Sequence, residues 1–321
     1  MNRVKTTSEK SLLTVCLASA ASVLISATAM ADSWKIDPRC FLNGASGTFD
    51  SVAVKDPSIV YSGGAYHLFY TSRSSTAWGL GYATASSITG LKTATHRHLT
   101  TIGSSAGLAA PQVLYFPIKG KWYLIFQNGT TPSYSVNSSV SGYGSWSAAQ
   151  SMGFSDGGID YFCISESAYT TSGNVYVFYA ANDGSHQIKR RSTTIANFPT
   201  GWGAATVVAT GTFEAPHVYK NAADGKFYMM CEDLGRYYEL WSASSLGGTW
   251  TKQQEQWAYI GNCTFAGEVW TSQVSHGEIL RQGVDANMII NSISSPQILI
   301  QGTTGTGTYA NLPYNLGLMH K

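Results

Sequence analysis

Four stretches of the chain align when stacked. They are Asp56-Pro-Ser-Ile-Val-Tyr61 leading to Tyr66-His-Leu-Phe-Tyr70, Pro111-Gln-Val-Leu-Tyr-Phe116 leading to Trp122-Tyr-Leu-Ile-Phe126, Asp160-Tyr-Phe-Cys-Ile164 leading to Val175-Tyr-Val-Phe-Tyr179, and Glu214-Ala-Pro-His-Val-Tyr219 leading to Phe227-Tyr-Met-Met-Cys231. In each, a short apolar run meets a turn rich in Gly, Asn, Asp or Lys and then an aromatic-rich run, the pattern of a β-hairpin. The anchors Tyr66, Tyr123, Tyr176 and Tyr228 recur at roughly the fifty-residue period of a propeller blade. A fifth, weaker unit runs from His276-Gly-Glu-Ile-Leu280 through Met288-Ile-Ile290. Further strand candidates close the units with Trp and turn residues, at Gly144-Ser-Trp146-Ser and Gly247-Gly-Thr-Trp250-Thr. The expected fold is all-β, one five-bladed β-propeller over residues 32–321. No Ser/Thr/Pro-rich linker marks an appended module.

Composition agrees. The 321 residues include 33 Gly, 19 Tyr, 12 Phe and 9 Trp but only 12% charged residues, about half the usual share. Such a chain is neither a coiled coil nor disordered. A net charge of +2, from 20 basic against 18 acidic groups, supplies no field for nucleic acid or anionic lipid. The short cationic runs Lys189-Arg190-Arg191 and His96-Arg97-His98 read as charged edge strands. Low charge with many hydroxyl and amide side chains suits a neutral polysaccharide partner, and Trp78, Trp202, Tyr237 and Tyr238 are candidates for a sugar-stacking groove.

Residues 1–31 read as a cleaved secretory signal. Arg3, Lys5 and Lys10 precede a small apolar segment that ends in Ala29-Met30-Ala31. A secreted, extracellular protein is therefore expected, with no membrane span. Cys40, Cys163, Cys231 and Cys263 remain beyond the signal; three pairings are open to them, and Cys163 and Cys231, inside apolar runs, equally suit buried free thiols.

Three acids stand at the starts of the first strands of their units, Asp56, Asp160 and Glu214, each beside apolar residues. Buried carboxyls are costly unless paired or used. First strands line a propeller's channel, so these three are expected to converge at its mouth. Converging carboxyls suit acetal hydrolysis: one protonates the leaving oxygen, a second deprotonates water, and a third raises the acid's proton affinity.

The residues around these acids carry a resemblance. Lys55-Asp56-Pro57, Ala110-Pro111-Gln112-Val113, Lys121-Trp122-Tyr123-Leu124-Ile125, Ile159-Asp160, Phe213-Glu214-Ala215, Gly235-Arg236-Tyr237, Ser275-His276-Gly277-Glu278 and Leu312-Pro313-Tyr314 occur in the order of glycoside hydrolase family 62, the α-L-arabinofuranosidases, which the chain resembles from about residue 40 to its end. The resemblance implies inverting hydrolysis that releases single L-arabinofuranosyl branches from arabinoxylan, by a monomer. Asp56 would be the general base, Glu214 the general acid and Asp160 the modulator. Lys55, Gln112, Asn128 and Tyr314 would contact substrate. His276 resembles the family's histidine near a structural calcium ion (Ca2+) in the central channel; no organic cofactor is implied.

The chain also departs from the family. Asn128 stands where members often have Trp, and Asn315 where a basic residue is usual. The late cysteine expected near Ser294 is absent. Glu214-Ala-Pro-His217 is closer to glycoside hydrolase family 43, whose xylosidases and arabinanases share the propeller and the three acids. A non-catalytic sugar-binding propeller is the alternative from another class.

Overall fold

The computed structural model describes residues 33–103 and 107–321, so the signal read at residues 1–31 lies outside the described residues. Five sheets form a five-bladed β-propeller. From the inside outward, the first blade is Ala53–Ser62, Ala65–Arg73, Trp78–Ala85 and Arg97–His98. The second is Leu108–Phe116, Lys121–Asn128, Thr131–Asn137 and Gln150–Ser151. The third is Ile159–Ser165, Asn174–Ala180, Gln187–Thr194 and Thr206–Thr210. The fourth is Glu214–Asn221, Phe227–Glu232, Tyr238–Ala243 and Thr251–Ala258. The aligned stretches are therefore the first two strands of four blades. Trp146 and Trp250 lie just outside the outer strands and pack as buried rings, edge-on to Phe69 at 5.4 Å and Phe178 at 5.4 Å. Among the described residues no helix is long and apolar enough to cross a membrane.

The fifth blade is not the expected hairpin. Ser275–Ile279 pairs with Gln297–Gly302, then come Asn315–His320, the N-terminal strand Trp34–Phe41 and Cys263–Phe265. The blade is thus assembled from both ends of the described chain, which closes the ring. Trp34 is fully buried, meets Trp257 edge-on at 4.9 Å and donates its Nε1–H to the Trp257 carbonyl, tying the closing strand to the fourth blade. Ile289–Ile290 pairs in parallel with Lys220–Asn221 of the fourth blade. The segment leading to it runs along the inner-strand ends of blades two to four, through bonds of Tyr115 to Val284 and Ala286, Ser165 to Ala286, and Lys220 to Met288. Met288-Ile-Ile290 is apolar because it plugs the channel floor.

Every inner strand carries a bulge at the channel mouth. The register shifts just after Lys55, Ala109, Ile159, Glu214 and Ser275, which face Thr71, Gln127, Ala180, Glu232 and Gln301 of the second strands. The next residue in four blades has left-handed backbone: Asp56 (φ 46°), Ala110 (50°), Asp160 (55°) and Ala215 (55°). Asp56 and Asp160 therefore occupy equivalent positions, whereas Glu214 sits one residue earlier, in the frame of Lys55. The expectation of three matching acids is corrected to two; the extra bulge residue is invisible to hydrophobic alternation.

Two other readings change. Lys189-Arg190-Arg191 lies on the third strand of its blade, covered by Thr206–Thr210, and is not an edge. Arg190 donates to the Leu246 and Gly248 carbonyls, and Arg191 pairs with Asp156. Among the described residues Cys40, Cys163, Cys231 and Cys263 are free thiols, one of the arrangements the sequence leaves open; burial pushes those of Cys40 and Cys263 up to about 12.

Candidate active site

The bulges aim side chains from blades one, three, four and five into one cavity of about 580 Å³. Asp56, Asp160, Glu214, Lys55 and His276 all line it. The backbone N–H groups that the bulges free are each taken by a side chain of the preceding blade. Thr71 Oγ1 accepts from Ala110 at 2.8 Å, Gln127 Oε1 from Asp160 at 3.0 Å, Glu232 Oε2 from His276 at 2.7 Å and Gln301 Oε1 from Asp56 at 2.8 Å. In the third blade the facing residue is Ala180, which has no acceptor. There the Asp160 carboxylate itself accepts from Ala215 at 3.2 Å. Asp160 is thereby tied to the residue next to Glu214.

The three acids have different electrostatic surroundings. Burial alone would raise the pKa of Asp56, but Lys55, with Nζ 3.9 Å from Oδ1, and His276, with Nδ1 3.3 Å away, outweigh it and hold the carboxyl below its ordinary range. Glu214 is pushed the other way, first by burial and then by the charges of Asp160 and Glu232; Lys55 and Arg236 oppose the rise without cancelling it. Asp160 is also raised, by burial and by Asp56, against the pull of His276 and Lys55. The surroundings thus favour the ionised form of one carboxyl and the protonated form of another in the same cavity, the division of labour that acid/base hydrolysis needs.

Lys55 is fully buried in an aromatic surround. Its Nζ hydrogen-bonds the Tyr309 hydroxyl and lies 4.1, 5.1 and 5.4 Å from the ring centroids of Tyr309, Tyr314 and Trp78. Burial works against its charge, while Asp56 and Tyr309 more than restore it.

The remaining sequence candidates fall elsewhere. Tyr314 is buried behind Lys55 and outside the cavity lining. Asn128 lies between two lining residues, Gln127 and Gly129, on the other side of the strand's alternation. Gln112 is fully buried below the mouth, its amide accepting from Cys163 N at 2.6 Å and donating to Cys163 O at 3.0 Å, so it braces two blades. Of the aromatic groove candidates only Trp78 borders the cavity; Trp202 packs between Phe154 and Phe198, Tyr238 is buried and Tyr237 bonds Glu255. Sequence reasoning gave no role to Arg236, Tyr309, Gln127 or Phe213, which line the cavity. They come from turns and second strands, where no periodicity marks them.

His276 has Asp56 Oδ1 3.3 Å and Asp160 Oδ2 3.9 Å from its Nδ1, two carboxylate oxygens of the six to eight that calcium takes. Its Nε2 faces His217 Nε2 at 3.3 Å, and Phe162 stacks on His217 at 3.6 Å. Both amide atoms of Gln112 are committed. Deeper in the channel the Arg281 guanidinium pairs with Glu278 at 2.9 Å and donates to the Val113 carbonyl at 2.8 Å. Nitrogen donors and a ring thus lie on the Nε2 side of His276, and carboxylate oxygens on its Nδ1 side.

Comparisons with known proteins identify the family. The sequence pattern described as Glycosyl hydrolase family 62 matches residues 43–320. Alpha-L-arabinofuranosidase C of Cellvibrio japonicus is 32% identical over 287 residues, covering 84% of this chain and 44% of that protein, so the chain spans less than half the length of that relative. The α-L-arabinofuranosidase of Podospora anserina, solved in complex with cellotriose, superposes with a TM-score of 0.80 at 27% identity over 90% of this chain and 96% of the other. The catalytic domain of a family 62 α-L-arabinofuranosidase from Coprinopsis cinerea gives 0.82 at 26% identity, again over 90% and 96%. The match spans all five blades and the positions of Asp56, Asp160 and Glu214: the chain belongs to glycosyl hydrolase family 62.

Proposed function

We propose that this glycoside hydrolase is an exported, inverting α-L-arabinofuranosidase that removes single L-arabinofuranosyl branches from arabinoxylan. The carrying observation is that Asp56, 3.9 Å from Lys55 Nζ, and Glu214, buried near Asp160 and Glu232, line one cavity in surroundings that shift their proton affinities in opposite directions. Glu214 gives its proton to the glycosidic oxygen as the bond to the anomeric carbon breaks. Asp56 takes a proton from the water whose oxygen bonds that carbon from the other side. The cycle leaves Glu214 ionised and Asp56 protonated, and exchange with solvent restores both. Asp160 adds negative charge beside Glu214 and is held there by the Ala215 N–H. Lys55 keeps Asp56 ionised and, with Tyr309 and Trp78, forms the wall on which a sugar can rest. Arabinofuranosidase activity and a neutral polysaccharide substrate are supported by family membership and by the relatives described above.

The family resemblance supports a monomer and a structural calcium ion near His276, beside the carboxylate oxygens of Asp56 and Asp160. The pattern of residues 2–31 supports export.

The test is release of free arabinose from arabinoxylan. Asp56→Asn and Glu214→Gln are each expected to lower turnover about a thousandfold, within the range for loss of a general acid or base. Near-normal turnover by either variant would remove that residue from its role. No arabinose from the unaltered protein would leave only a sugar-binding propeller.

A further inference from the structure

A fourth buried carboxylate stands behind the cavity. Glu232 is fully buried on the second strand of blade four, directly opposite Glu214 in the ladder. It accepts hydrogen bonds from Ser275 Oγ at 2.9 and 3.0 Å, from the His276 backbone N–H at 2.7 Å and from Arg236 Nη1 at 2.5 Å. The same Arg236 nitrogen is 3.6 Å from Glu214 Oε1. Two carboxyls thus face one guanidinium, and Glu232 has the shorter contact. Ser275 Oγ also accepts from Gln301 Nε2 at 3.0 Å, and Gln301 Oε1 accepts the Asp56 N–H. The chain Asp56, Gln301, Ser275, Glu232, Arg236, Glu214 therefore links the two reacting carboxyls through blades one, five and four. Gly277 keeps this path compact: a Cβ there would lie 2.8 Å from the Tyr238 hydroxyl, which donates to the Ser275 carbonyl.

We propose that Glu232 is a positioning residue for the acid: by engaging Arg236 it prevents that guanidinium from pairing fully with Glu214, so that Glu214 keeps its proton for the leaving oxygen. The proposal rests on the assignment of Glu214 as general acid. Without Glu232, the guanidinium would have one carboxyl to neutralise, and it would favour that carboxyl's charged form. The other charged or titratable groups facing this pair are Asp160, Lys55 and Tyr309 around Glu214, and Tyr238 and Tyr314 around Glu232. None of them hydrogen-bonds Arg236 among the described residues.

The test is the pH profile of kcat on arabinoxylan, whose alkaline limb reports the acid in the substrate complex. Glu232→Gln is expected to move that limb to lower pH by about one unit, a tenfold loss of rate on the alkaline side, with KM little changed. Glu232→Asp, which keeps the charge but shortens the arm, is expected to move it the same way by less. A limb that stays in place in whichever variant folds, with the rate lowered equally at all pH values, would overturn the proposal. Glu214→Gln run in parallel separates the two failures: if it retains the wild-type alkaline limb, the assignment of Glu214 is itself wrong, and Glu232 loses its role with it.

Discussion

Glu214 and Asp56 are ordinary carboxylic acids made unlike by their immediate neighbours. Asp56 has Lys55 and the His276 ring beside it, while Glu214 has two carboxylates and a guanidinium already engaged elsewhere. Asp160 is the nearer lever on Glu214, because after burial its charge contributes most to raising that group. Asp160→Asn is therefore expected to lower the proton affinity of Glu214 and shift the alkaline limb of kcat to lower pH, besides reducing the maximum rate. A pH–rate profile checks this, and an unmoved limb contradicts it. The acids were legible as residues, since a charge among apolar neighbours in a charge-poor chain stands out, while Lys55 entered through the family resemblance. Tyr309 and Arg236 were not legible. Tyr309 reaches Lys55 from a turn more than two hundred and fifty positions away, and Arg236 lies in a turn of left-handed backbone (φ 60°) that hydrophobic pattern does not register.

Strands were more legible than their registers. Four hairpins could be read because aromatic and β-branched runs meet Gly-rich turns, but the bulges that aim the acids depend on one extra residue in each inner strand. That residue moved Glu214 out of the frame of Asp56 and Asp160 and into that of Lys55. The same bulges explain why Thr71, Gln127, Glu232 and Gln301 face the mouth. Each accepts a backbone N–H that its neighbouring strand cannot, and an orphaned N–H there costs about 1–3 kcal/mol. The fifth blade escaped the repeat because its strands come from both ends of the described chain. That closure makes Trp34 a structural anchor far from the cavity. Trp34→Ala is expected to lower unfolding stability by about 3–5 kcal/mol, the usual cost of emptying an aromatic core site. Urea unfolding measures it, and a loss below about 1 kcal/mol would show that the closing strand does not secure the ring.

At the scale of the molecule, the propeller brings residues from sequence positions 55 to 310 to one rim, with a plug of Arg281, Glu278 and Met288 beneath it. The fold class followed from the period of the repeat, and the resemblance to family 62 agrees with the family pattern found over residues 43–320. Calcium was expected by resemblance near His276, whose Nδ1 faces carboxylate oxygens of Asp56 and Asp160 and whose Nε2 faces His217. What the ring achieves is to bring Asp56 of blade one and Glu214 of blade four to one cavity in surroundings that shift their proton affinities in opposite directions, as the proposed base and acid require. That arrangement suits a single displacement by water, with inversion at the anomeric carbon. The most direct measurement is an NMR time course on arabinoxylan that records the first sugar signal before mutarotation. β-L-arabinofuranose appearing first is the predicted result; α-L-arabinofuranose appearing first would contradict it.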